Sequence, residues 1–151
     1  MQERTEQHSF AGLNETVTAH SAEGACESLA RALLPLAREL VALFVPDMEP
    51  EVTPIEHKVE DEGWPKIQTW TTGAAAGEVT VRAQTQSVFY NPMDGKGWSV
   101  SVSVRVGPSD PRRLSLNASY YESHARPLRL TCVLDDNDHR AVLELVTRAF
   151  S

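Results

Sequence analysis

Most of the signatures that announce a chemistry are missing from this chain. Only two cysteines, Cys26 and Cys132, occur in 151 residues, far apart and without a Cys-x-x-Cys pair. That excludes a disulfide framework and a dithiol motif, and leaves two buried thiols behaving as small hydrophobes. The five histidines (His8, His20, His57, His124 and His139) never recur at His-x-His or His-x-x-x-His spacing. No single helix or strand can therefore present a ready pair of metal ligands. No stretch approaches the roughly 20 apolar residues of a membrane-spanning helix. Residues 1–7 lack the apolar core of a secretory signal, and Gln2 stands where myristoylation needs glycine. The expectation is a cytoplasmic protein with no membrane partner, no metal and no cofactor.

Catalytic motifs are equally scarce. Gly97-Trp98-Ser99-Val100-Ser101 begins like a nucleophile elbow but has Ser101 where the close turn needs glycine. Gly95-Lys96-Gly97 lacks the leading glycine and the Ser/Thr of a phosphate loop, and reads as a turn. Asp135-Asp136-Asn137-Asp138-His139 has neither the central glycine nor the distal glutamate of a calcium loop; helix capping explains it. His57 shares the apolar phase of its segment with Ile55 and Val59, opposite Glu56 and Glu60. It reads as a packed residue with hydrogen-bonded ring nitrogens, a general base being the alternative.

Charge is also short of one sign over half the chain. Residues 1–62 hold 13 Asp/Glu against 4 Lys/Arg, a balance of −9, and residues 63–151 hold 8 against 10, or +2, which sums to the formal −7. Nucleic acid and anionic membranes want a concentrated basic patch, so both are excluded as expected partners. A basic protein surface facing the acidic half is compatible.

What is present is pattern. From Trp98 to Val106, Val100, Val102, Val104 and Val106 point one way while Ser99, Ser101, Ser103 and Arg105 point the other. Alternation this strict marks a half-buried antiparallel strand. Strands are also expected over 51–61, 66–72, 78–90, 114–120 and 128–132, with a small-residue loop at 73–77 and, less clearly, a first strand within 9–19 after a frayed tail of residues 1–8. Between them, Ser21 offers a helix cap. Apolar steps of three and four then run through Ala25, Leu29, Leu33, Leu36, Leu40 and Phe44, predicting a helix of about 22 residues that ends before Pro46 and is kinked or broken at Pro35. Val142, Leu145, Val146 and Phe150 stripe a final helix. The expected fold is α+β: an antiparallel meander of five or six strands with the long N-terminal helix and the C-terminal helix on one face, residues 9–151 forming one domain.

Two functional expectations follow. The long helix has a second apolar stripe, Leu34, Ala37, Val41 and Val45, beside the first. A helix apolar nearly all round must be covered on more than one side, by the C-terminal helix, a ligand or another subunit. With the acids Glu49, Glu51, Glu56 and Glu60, that stripe suggests a non-catalytic protein-interaction domain of the chaperone, immunity or adaptor type. Its partner would be another protein, or a second copy bound through this helix. The alternative is an apolar-ligand domain, because the layout resembles helix-grip folds, whose cavity lies between sheet and C-terminal helix. Its lining would be Trp70, Tyr90, Val102, Leu116 and Leu145. The aromatic residues Trp64, Trp70, Phe89, Tyr90, Trp98, Tyr120 and Tyr121, all in the sheet half, suit either an interface or a groove.

Overall fold

The Trp98–Gly107 strand stands at the centre of a seven-stranded antiparallel sheet in the computed structural model, which describes residues 2–19, 21–94, 97–107, 114–121 and 127–151. In chain order the elements are β1 (Arg4–His8), α1 (Ala11–Ala19), α2 (Ala22–Phe44), β2 (Glu51–Glu60), β3 (Lys66–Ala76), β4 (Val79–Phe89), β5 (Trp98–Gly107), β6 (Leu114–Tyr121), β7 (Leu128–Cys132) and α3 (Asp136–Phe150). A single turn of 3-10 helix, Pro92–Asp94, lies between β4 and β5. The sheet order is β1-β7-β6-β5-β4-β3-β2: six strands form a meander and the N-terminal strand closes onto the far edge. The α+β class and antiparallel sheet are as expected, with two strands or one more than anticipated.

The differences lie near the N-terminus. Residues 4–8, expected in a frayed tail, pair with β7 through Arg4↔Cys132 to His8↔Leu128. The 9–19 segment, expected as a strand, is helix α1. Phe10, Leu13 and Val17 fall three and four apart, and all three are buried, so the helical period wins. The small-residue stretch expected as a loop instead extends β3 to Ala76, leaving only Gly77 and Glu78 as the turn to β4. Ala74 and Ala76 are too small to favour a strand by themselves, but both are buried, and Gly77 supplies the positive φ (57°) that the tight turn needs.

Helix α2 is a single run of 23 residues, capped at Ser21, whose hydroxyl accepts the Gly24 N–H at 3.1 Å. It is not divided at Pro35. That ring lies on the exposed side while Leu33, Leu36 and Ala37 around it are buried, so packing keeps the helix continuous across it. One flank of α2 lies on β3, β4 and β5, and another meets α1 and α3. Thr85, buried in β4, donates its hydroxyl to the Cys26 carbonyl at 2.9 Å and pins the helix to the sheet. Helix α3 therefore packs on α2 and α1, with Asp135 capping it by accepting the Asp138 N–H at 2.8 Å.

This covering corrects the second-stripe reading. Ala37 and Val41 are both at 0% exposure, and only Leu34 and Val45 remain half-buried. The extra apolar surface of α2 is core, taken up by the chain's own helices. A carboxylate at position 41 would be desolvated without a partner. Val41→Glu is accordingly expected to abolish cooperative unfolding or lower stability by about 4 kcal/mol or more, whereas Leu34→Glu should cost about 1–2 kcal/mol. Urea titration followed by circular dichroism distinguishes the two.

Candidate functional site on the open sheet face

With the helices stacked on one side, the other face of the sheet is open. The pairing registers place its side chains in rows running across the strands. One row reads Thr53–Gly73–Arg82–Arg105, flanked on one side by Glu51–Ala75–Thr80–Gly107 and on the other by Glu56–Thr71–Gln84–Ser103. Threonine, serine and glutamine hydroxyls and amides continue toward Thr69, Gln86 and Ser101. The odd members of β3 and the even members of β4 face outward here, while Ala74, Val81, Ala83 and Val104 between them face the core.

Within this face lies a groove of about 680 Å³, lined by Thr53, Thr71, Gly73, Ala75, Arg82, Gln84, Ser103 and Arg105 among others. Its floor is bare at Gly73. A Cβ added there would sit 2.4 Å from the Val81 carbonyl oxygen, so backbone of β4 occupies the place of a side chain. Its wall is charged. Arg82 and Arg105 are direct cross-strand partners, both exposed, and neither has a hydrogen-bond or ion-pair partner among the described residues. Like charges directly opposite on a sheet repel, so the pair lowers the stability of the isolated fold.

The acids expected at an interface lie beside this row. Glu51, Glu56 and Glu60 project outward from the edge strand β2, with Lys58 between the last two and 3.6 Å from Glu60. Glu49 precedes β2 and pairs with Arg38 at 3.0 Å. The face thus runs from acidic at its β2 edge, through a flat strip of Thr, Gly and Ala on β3, to basic on β4 and β5.

The expected ligand lining does not converge. Val102 and Leu116 are core residues of neighbouring strands, Trp70 is buried, Leu145 lies half-buried on α3, and Tyr90 packs near Tyr121 with ring centres 6.2 Å apart. None of the five lines any of the five main surface grooves. His57, expected half-buried, is exposed; it stacks flat on Trp70 (4.3 Å, 7°) with Nε2 2.8 Å from Gln68 Oε1. Cys26 and Cys132 are free and buried, and burial pushes the Cys26 thiol up to about 12. The phenol of Tyr120, also buried and pushed up to about 12 by burial, has no hydrogen-bond partner among the described residues. Tyr121 points the other way, its hydroxyl oxygen accepting the Gly97 N–H at 3.5 Å. Gly95, Lys96, His20 and His124 lie outside the described residues.

A second titratable cluster ties β1 to α3. His8 and His139 direct Nε2 at the same Glu6 oxygen, at 2.9 and 3.0 Å, and Arg4 pairs with Asp136 alongside. These contacts, the one from His8 foremost, hold the Glu6 carboxyl below its ordinary value of 4.5. Its stabilisation is therefore present above that value and is lost as pH falls through the lower folded value. Among the described residues no cluster could hold a metal ion. The arrangement clamps the N-terminal strand to the last helix.

Comparison with protein-family models, with curated proteins and with solved structures finds no match for the chain.

Two expected outcomes follow from this geometry. Removing the repulsion by Arg105→Thr should raise the unfolding free energy of the dilute protein by about 0.5 kcal/mol; a loss of stability would mean that Arg105 has a structural partner. Glu6→Gln should lower stability at neutral pH and flatten its fall on acidification below 4.5, read from urea midpoints across the pH range.

Proposed function

We propose that this protein is a non-catalytic protein-interaction domain that works through the open face of its sheet. The observation that carries this reading is the Arg82–Arg105 pair, two guanidiniums set side by side with no counterion among the described residues, beside a bare glycine floor. Such a pair weakens the free fold and becomes favourable once carboxylates arrive, because guanidinium–carboxylate contacts are bidentate and charge-assisted. The groove lining offers hydroxyls, amides and guanidiniums, with no histidine, carboxylate or cysteine, which is the equipment of recognition rather than of proton transfer. Chaperone, immunity and adaptor roles all belong to this class; the acidic β2 edge and the basic strands beside it specify a partner of mixed charge.

Native mass spectrometry of the protein purified gently from the cells that make it tests the reading, with Arg82→Glu/Arg105→Glu as the comparison. The reading expects added protein mass on the natural chain and none on the variant, whose melting temperature stays within a few degrees because one like-charged pair replaces another. Added mass retained by the variant would refute it.

A further inference from the structure

The charge layout of the open face is self-complementary, and we infer that its occupant is a second copy of this chain. The inference rests on the binding role proposed for the face and names its partner. Consider two such sheets stacked face to face, about 10 Å apart as packed sheets are, about a two-fold axis that runs along the strands above the boundary between β3 and β4. That operation lays β2 of one copy over β5 of the other and β3 over β4, keeping each residue at its own height along the strand. Glu51 and Glu56 flank the Arg105 row one pair above and one pair below. Both carboxylates of one copy then face Arg105 of the other.

Arg82 falls over Gly73 of the opposite copy, where the floor is bare and the groove gives its side chain room. Within a single chain these acids cannot reach the arginines. Arg82 lies two strands from β2 and Arg105 three, about 10 and 14 Å at the usual strand spacing. The symmetric pairing supplies in one step what the described residues of one chain do not. It gives Arg105 a carboxylate partner, Arg82 a recess, and Glu51 and Glu56 a cation, and by symmetry it does so twice.

Helix surfaces offer no such match, their apolar stripe being buried. The four overlapping strands, β2 to β5, cover about 19 Å across and about 24 Å along the chain, a footprint in the range of weak, transient interfaces. The dimer is accordingly concentration-dependent and, held by ion pairs at a polar face, weakened by salt.

Sedimentation velocity of the full chain at increasing concentration, in low and high salt, tests this. The expected mass rises from 16.7 kDa toward twice that value and falls back in high salt. Arg105→Glu alone, and Glu51→Arg/Glu56→Arg alone, should each weaken the dimer at least tenfold. Combined in one chain, the three changes should restore it, because each altered residue then meets its complement across the axis. A protein monomeric at every concentration, or a dimer indifferent to these changes, overturns the inference. If the monomer still captures a different protein, and Arg82→Glu/Arg105→Glu abolishes that capture, self-pairing fails while the binding role of the face stands. Capture unaffected by the variant removes both.

Discussion

Covering α2 on two flanks is the constraint on which the rest of the structure depends. Ten of its residues are buried, from Ala25 to Phe44, and one layer of sheet cannot shield a stripe that wide. The chain answers by placing α1 and α3 against the flank that the sheet leaves bare. Each consequence follows from that. Strand β1 must reach the far edge of the sheet beside β7, and α3 is then clamped to it through Glu6, His139, Arg4 and Asp136. With the helical layer committed to the core, the open sheet face carries the groove and the two arginines that have no ion-pair partner among the described residues.

That face carries a cost that packing alone does not explain. A sheet face left to solvent is stable with Ser, Thr and Gln throughout, as Ser99, Ser101, Ser103, Gln84 and Gln86 illustrate. Setting Arg82 against Arg105 is worse for the isolated fold than either residue opposite a threonine. Gly73 beside them is likewise a weak strand residue, kept where β4 backbone leaves no space for a side chain. Gly73 has that packing reason; the arginine pair has none among the described residues, and it is the feature on which the proposed role of the face rests.

Much of the sheet was readable from the sequence, because its period is two and its central run is unusually strict. The α2 cap at Ser21 and the capping role of the Asp135–Asp138 cluster before α3 were legible as well, because each depends on local chemistry. Residues 4–8 were not, since a strand of Arg, Thr, Glu, Gln and His has no apolar signal and exists through its pairing with β7. The helical spacing of Phe10, Leu13 and Val17 was present in the sequence and lost to the β-branched residues around it. The second stripe of α2 was seen, but whether a stripe is core or interface depends on how much the remaining elements can cover, which is a tertiary quantity. The arginine row escaped notice for another reason. Alternation places Arg82 and Arg105 on polar phases of their strands, but the loop between β4 and β5 is too long for its length to fix the register that sets them opposite.

The most direct measurement is side-chain NMR of arginine Nε–H groups together with Leu and Val methyls, recorded from dilute to concentrated protein. If the open face pairs with a second copy, the Arg82 and Arg105 resonances move with concentration and return on adding salt, while the methyls of Leu34 on α2 and of Val45 just past its end stay in place. Shifts confined to Leu34 and Val45, with Arg82 and Arg105 unmoved, would put the interface on the helices and contradict the role assigned here to the sheet.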